Sequence, residues 1–486
     1  MAMEEFNFIN QEEEEEPVSP TGQYFTSSVI SVSVIGVLEL QVPIDDSQTE
    51  TLIKHVFLPI NPRFSSIMVK DKTGVKHWKK VEVKIKDHIY KPIFPEGKSV
   101  EFYDDCFTHY LSKLAMNQLP QSRPLWEIHI IKYPSKNAAG NVVFKLHHAL
   151  GDGFSIMGAL LSCLQRADNP QLPLTFPALM NQNMNTDDDH KGIFKNVTGI
   201  FNTVSDFGWS LLKSSVIEDD KSPIRSGEDG VEFRPITITT MTFSLDQIKK
   251  IKANLQMTVN GVICGVIFLG TRLYMQEVNN DENSANSTTA LVLLNTRNIG
   301  GYKSVQEMVK TDEESQWGNQ FAFIHVSLPH LTGKDSSNPL NFAHKAQEII
   351  RRKKNSSAVI LTGKLLDAVR RYRGPEATAK CIHSTLKNTS MTVSNVIGPV
   401  ERVALANQPI KGMYFMVVGV PQNLTITMVS YMGNLRVAVG TENGLIDSHK
   451  YKSCVENAFD LMFKAAASAS ASASASAVTT PPPKNI

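Results

Sequence analysis

Asn141-Val142-Val143-Phe144-Lys145-Leu146-His147-His148-Ala149-Leu150-Gly151-Asp152-Gly153 is the stretch on which the reading of this chain turns. Its first six residues predict a strand. That strand runs directly into two histidines and a turn tipped with Gly151 and Gly153, where glycine permits a sharp bend and close approach of a ligand. Phe154 to Gln165 (FSIMGALLSCLQ) then has helical character. Strand, tight turn and helix in succession mark an α/β chain.

Outward from this point the alternation continues. Trp126 to Ile131 is a strand joined to the first across a turn from Pro134 to Gly140, and Val29 to Val42 is a third, rich in β-branched residues. Asn169 to Pro235 breaks the pattern with Pro, Asn and Asp and is taken as a crossover between domains. A second α/β run follows. Strands are expected at Ile236 to Phe243, Ala290 to Asn295, Phe321 to Leu328, Met391 to Val396, Leu424 to Met432 and Leu435 to Thr441. Helices are expected at Leu245 to Leu255, Thr258 to Tyr274, a basic region from Asn341 to Arg373, and Tyr451 to Ala465. The resulting division is an acidic disordered tail (1–16), an N-terminal domain (17–170), a crossover with an amphipathic helix (171–235), a C-terminal domain (236–465) and a disordered Ala/Ser/Pro tail (466–486).

Bulk properties agree with two globular domains. The chain has 486 residues, 42% hydrophobic and 20% charged, with a formal net charge of +1. That balance gives no basic face for nucleic acid. Five cysteines without CxxC spacing read as buried free thiols in a reducing, cytosol-facing compartment. The first residues have no basic and apolar leader pattern, so no cleaved signal peptide is expected. Val259 to Leu269 carries Asn260 and two glycines, is too short to span a bilayer, and reads as a buried core helix.

His148 at the mouth of a strand-to-helix turn can take a proton from a hydroxyl, because imidazole titrates near neutrality. The corresponding chemistry is acyl transfer, in which an alcohol deprotonated by His148 attacks a thioester carbonyl. The same spacing equally serves two histidines that cap a strand through structural hydrogen bonds. Adjacent histidines on extended backbone point to opposite faces, so they share a metal ion poorly.

The run HHALGDG matches the HHxxxDG signature of the CoA-dependent acyltransferase superfamily. Together with Pro124-Leu125-Trp126-Glu127 and Ser394-Asn395-Val396-Ile397-Gly398-Pro399, it resembles the plant-type wax ester synthase/diacylglycerol acyltransferases, over roughly residues 17–465. The resemblance implies two chloramphenicol-acetyltransferase-like α/β domains with the active-site channel between them. It makes His148 the general base, His147 a supporting residue and Asp152 a structural support, for which Arg297 is a candidate partner. Ser394 and Asn395 are expected to serve an oxyanion or to shape a turn. Gly153, Asn260, Arg297, Pro124, Leu125 and Trp126 are expected on the substrate side. Where the family carries Asn-Asp, this chain has Asn260-Gly261.

The reaction so implied needs acyl-CoA as co-substrate and no cofactor or metal. Its acceptor is a long-chain fatty alcohol or diacylglycerol, and its place is a membrane surface, the cytosolic face of the endoplasmic reticulum or the plasma membrane. Two features fit a lipid substrate besides their plain structural reading. One is the apolar stripe Ile193, Val197, Ile200, Phe201, Val204, Phe207 and Leu211, which is either core-facing or bilayer-docking. The other is the cluster Arg351, Arg352, Lys353 and Lys354 with Arg370, Arg371 and Arg373, which is either a solvated helix end or a contact for CoA phosphates or anionic headgroups. The rival functions are a condensation-type enzyme acting on carrier-bound thioesters and a catalytically silent lipid-binding protein.

Overall fold

The stretch around His148 folds as its residues dictate. In the computed structural model, Gly140–His147 is a strand buried along its whole length, and the helix Gly153–Ser162 starts at once behind it. Asp152 begins that helix as its N-cap, its carboxylate accepting from the Ser155 N–H. The structure describes residues 16–72, 74–175, 217–279, 287–295, 305, 317–331, 338–356 and 358–478. The amphipathic stripe Ile193 to Leu211 and Arg297 lie outside the described residues.

The first half supplies β1 (Glu16–Pro17), α1 (Pro20–Phe25), β2 (Ser33–Leu40), β3 (Ser66–Lys70), β4 (Lys76–Lys80) and β5 (Ile89–Tyr90). It continues with α2 (Val100–Met116), β6 (Trp126–Ile131), β7 (Gly140–His147), α3 (Gly153–Ser162) and β8 (Leu164–Arg166). The second half opens with β9 (Ile236–Ser244), α4 (Leu245–Leu255), α5 (Val259–Asn279), β10 (Thr289–Asn295) and β11 (Phe321–Ser327). Three helices follow, α6 (Pro339–Lys354), α7 (Ala358–Arg373) and α8 (Pro375–Lys387). The chain then forms β12 (Met391–Val396), β13 (Val403–Leu405), β14 (Gln408–Val418), β15 (Leu424–Tyr431), β16 (Asn434–Glu442) and α9 (Ser448–Val478).

Among the described residues there are two large sheets. A seven-stranded sheet runs β5-β6-β7-β2-β14-β13-β8, and a six-stranded sheet runs β11-β10-β12-β15-β16-β9; β1, β4 and β3 form a small third sheet. The larger sheet corrects the expected division at 236–465. β13 and β14 leave the C-terminal half and pair with the N-terminal one, Val418 opposite Ser33 and Ile410 opposite Leu40. β14 was not anticipated, although its apolar run (GMYFMVV) supplies the buried side chains that β2 needs on its open edge.

The expected disordered tail from residue 466 is also corrected, since α9 continues through the Ala/Ser alternation to Val478. Its first turns are locked by buried Tyr451, Val455, Ala458 and Met462. Propagation from a nucleated helix is cheap, and alanine is the best helix former. Residues 479–486 are not described. α5 is long and apolar enough to cross a membrane, yet 78% of its apolar window is buried inside the protein. It packs with α6 and α9 in the C-terminal core, as the reading of a core helix predicted. All five cysteines are free thiols, with Cys163, Cys264 and Cys454 buried and Cys106 and Cys381 half-buried.

Candidate active site

β7 ends at His147, and the loop behind it meets a segment from the other half of the chain, Trp317-Gly318-Asn319-Gln320, just ahead of β11. The two are stitched together along their length. The Trp317 indole donates to the Leu150 carbonyl at 2.9 Å, and the Asp152 N–H donates to the Gly318 carbonyl at 3.2 Å. Ser155 Oγ donates to the Gly318 carbonyl at 3.1 Å and accepts from the Gly318 N–H at 3.0 Å. Gly318 holds a φ of +114°, a conformation open to glycine and strained for other residues.

Asn319 addresses His148 at both ends of its carboxamide. Its Nδ2 donates to the His148 carbonyl at 2.9 Å, so its Oδ1 must face the ring, 2.9 Å from His148 Nδ1. An amide oxygen only accepts, which puts the ring proton on Nδ1 and leaves the lone pair on Nε2. Phe25 and Phe321 flank the imidazole at ring-centre distances of 4.8 and 5.5 Å. The ring is 5% exposed, and this burial holds its pKa below the ordinary histidine value, against opposing pulls from Asp152 and the Asn319 hydrogen bond. A neutral imidazole whose Nε2 accepts no hydrogen bond from a described residue, in a nearly closed site, is suited to accept a proton from a hydroxyl.

His147 points the other way. Its Nδ1 accepts from the Ala149 N–H at 3.1 Å, and its Nε2 lies 3.2 Å from Ser31 Oγ. Burial, then the neighbouring His148, Lys76 and Lys145, push its pKa down to about 3, so it is a neutral buried brace. Asp152 holds the turn with both carboxylate oxygens. Its Oδ1 caps α3 at Ser155, and its Oδ2 accepts from the Gln320 N–H at 2.9 Å, tying the motif turn to the Asn319 segment.

The remaining expected residues divide. Leu125 and Trp126 are buried behind the motif turn, where they brace it. Trp126 stacks on His88 at 4.0 Å and donates its indole N–H to Phe64, while the Leu125 carbonyl accepts from the His147 N–H. Pro124 leads into this brace, its carbonyl accepting from the Trp126 N–H. Gly153 does mark a close approach, for a Cβ there would sit 3.1 Å from Val396 Cγ2 at the end of β12. Ser394 lies two residues before Val396 on β12 and shares its sheet face, while Asn395 between them faces the other way. Ser394 is buried, and exposed Asn395 donates its amide to Asn260 Oδ1 at 2.8 Å.

The place of the family acid at Gly261 is filled from another helix. A Cβ on Gly261 would lie 2.2 Å from Gln347 Oε1, and that oxygen accepts from the Thr258 N–H at 3.0 Å. Thr258 Oγ1 in turn accepts from the Gly261 N–H. These are the two bonds of a capping box, with α6 supplying across space the acceptor that residue 261 would otherwise provide. Next to the site, Val34, Gly36, Phe144, Gly153, Met157 and Val396 help line an apolar cavity of about 30 Å³.

Residues 53–263 match the model of the wax ester synthase/diacylglycerol acyltransferase catalytic domain, and residues 317–463 match the WS/DGAT C-terminal domain. Wax ester synthase/diacylglycerol acyltransferase 4 of Arabidopsis thaliana is 28% identical over 466 residues, covering 91% of this chain and 88% of that protein. Among solved structures, the wax ester synthase/diacylglycerol acyltransferase of Marinobacter aquaeolei VT8 superposes with a TM-score of 0.59 at 15% identity, covering 93% of this chain and all of that one. The first condensation domain of the CDA synthetase gives a TM-score of 0.52 at 10% identity, covering 90% and 91%. These two likenesses concern the fold, which is the two-domain, chloramphenicol-acetyltransferase-like α/β architecture.

Proposed function

Because the chain belongs to the wax ester synthase/diacylglycerol acyltransferase family of O-acyltransferases, we propose that it moves a long-chain acyl group from acyl-CoA to the hydroxyl of a long-chain fatty alcohol, with diacylglycerol as a second acceptor. The observation that carries this reading is the His148 imidazole, buried and neutral, with Nδ1 tied to Asn319 and Nε2 left for a substrate. Nε2 takes the hydroxyl proton as the alkoxide oxygen attacks the thioester carbonyl. The tetrahedral intermediate collapses, the C–S bond breaks, and the imidazolium returns its proton to the departing CoA thiolate. We assign the oxyanion to the Ser394 hydroxyl, while Asn395 and Asn260 together shape the wall beside it. No step calls for a metal or a cofactor.

A fatty alcohol brings one hydroxyl along an apolar path. Diacylglycerol brings two buried ester groups that need hydrogen-bond partners, so the alcohol is the favoured acceptor. Such substrates reside in bilayers, and the working place is the cytosolic face of the endoplasmic reticulum. The test is product analysis with purified protein, palmitoyl-CoA, and hexadecanol and diacylglycerol at equal concentration. Wax ester should dominate, and His148→Ala should lose about 10²–10⁴-fold in rate. Mainly triacylglycerol would reverse the acceptor preference, and an active, folded His148→Ala would remove the base.

A further inference from the structure

α7 (AVILTGKLLDAVRRYR) carries large apolar side chains in solvent, with Tyr372 87% exposed, Ile360 63% and Leu361 37%. At about 100° per residue, Ile360, Leu361, Lys364, Leu365, Arg371 and Tyr372 fall on one side of the helix. The opposite side is anchored through Leu366, which packs on the cluster holding Tyr24, Phe25, Phe321 and Phe323. Phe25 and Phe321 are the two rings beside His148. One face of α7 is therefore packed toward the cluster that holds the rings beside His148, and the other exposes Ile360, Leu361 and Tyr372 among Lys364, Asp367 and Arg371.

Charge gathers at the same place. α7 has four cations, Lys364, Arg370, Arg371 and Arg373, against one acid, Asp367, which pairs with Arg370 at 3.6 Å, and α6 ends in exposed Arg351, Arg352 and Lys354, with Lys353 buried. The whole chain carries a formal +1, so this is a local concentration. An exposed apolar stripe rimmed by charge marks an interaction surface. An apolar centre, cationic flanks and a tyrosine at the rim match the water-bilayer boundary, where apolar side chains enter the acyl region and cations meet anionic headgroups.

We propose that α7 seats this protein on an anionic membrane surface, at the entrance to the His148 site. The proposal rests on the reading of a lipid acceptor above.

Flotation with vesicles of phosphatidylcholine alone, or with phosphatidylserine added, tests the docking directly. The protein should float with the anionic vesicles, and Ile360→Glu/Tyr372→Glu should lower partitioning at least tenfold. Each cation at an anionic surface is worth roughly fivefold, so Lys364→Glu/Arg371→Glu should abolish the preference for phosphatidylserine. Transfer from octanoyl-CoA to a water-soluble alcohol, without vesicles, should be unchanged in Ile360→Glu/Tyr372→Glu, while its transfer to vesicle-borne hexadecanol falls with binding. Should the first variant lose its melting transition, Tyr372→Ser alone carries the comparison. Wild-type protein that stays with the aqueous fraction, or variants that float equally well, would overturn the proposal. So would variants that turn a dimer into a monomer without changing flotation, because a second copy would then be the occupant. Normal flotation without ester formation on any substrate would instead sink the transferase reading and leave the docking in place.

Discussion

Asn319→Ala removes a side chain that touches no reacting atom in the scheme above, yet it should cost most of the activity. Two hydrogen bonds of 2.9 Å disappear, and a ring N–H and a backbone carbonyl lose their partner in a nearly closed site. A buried polar group left unsatisfied costs roughly 1–3 kcal/mol. Water can enter the space left by the carboxamide, so the loss in positioning the base lies near 1.5–3 kcal/mol. That corresponds to about ten- to a hundredfold in kcat. Asn319→Asp separates positioning from mere stability. It keeps an acceptor for Nδ1 but places a charge beside the ring, which favours the imidazolium and raises a pKa that burial now holds down. A general base works unprotonated, so activity rises with pH through that pKa. The acid limb of the kcat profile should therefore move upward in Asn319→Asp, with recovery at alkaline pH, whereas Asn319→Ala should be slow at every pH. Full pH–rate profiles with thermal melts of each variant decide it. A folded Asn319→Ala within twofold of wild type, or an unmoved limb in Asn319→Asp, would refute the assignment.

His147 is neutral in the folded protein, with its pKa pushed by burial from the ordinary histidine range down to about 3. Its stabilising share is complete above about pH 6.5 and is lost as pH falls toward 3, by up to ~1.4 kcal/mol per pH unit. His147→Gln should accordingly flatten the fall in Tm between those limits. Asp152→Asn should lower Tm more than it changes KM, because the amide keeps one acceptor oxygen as helix cap but sets an NH2 against the second N–H, and a buried donor so left unmet costs about 1–3 kcal/mol. A normal melt with kcat reduced a thousandfold would give Asp152 a chemical role instead. Gly261→Asp should destabilise through the collision with Gln347 Oε1, and adding Gln347→Ala should restore Tm by freeing the space for the acid. Gly36 faces open space in the middle of β2, so Gly36→Val should raise Tm slightly while shortening the longest acyl or alkyl chain accepted. An unchanged chain-length profile would remove the cavity beside Gly153 from substrate binding.

What was legible in the sequence was local. Strands β6 and β12 and helix α4 have the bounds their patterns predicted, because apolar period and flanking turns set each of them within a few residues. The HHALGDG turn announced His148 for the same reason, since its glycines and histidines are adjacent. Asn319 was missed because it acts on a residue 171 positions away, and a carboxamide carries no signal of its partner. The one local hint was Gly318 in Trp-Gly-Asn-Gln directly before an apolar strand. Trp126, expected on the substrate side, braces the strand from inside through its indole N–H and its stacking on His88. The Ala/Ser run was judged by its low complexity, whereas the helix already formed ahead of it decided its conformation.

The loan of β13 and β14 to the N-terminal sheet sets a timetable for the ribosome. β2 reads SVIGVLEL, is buried throughout, and finishes with one edge against β7 and the other against β14. While the chain is being made, β7 is present early, but the second edge waits for residues 408–418. At ~5–20 residues per second this leaves an apolar strand edge open for roughly a quarter of a minute to a minute. Such an edge invites pairing with any other extended chain. Nascent polypeptide stalled before residue 408 should therefore recruit holdase chaperones and aggregate when they are depleted, while chains released past residue 418 should not. The first domain, though translated first, is completed almost last.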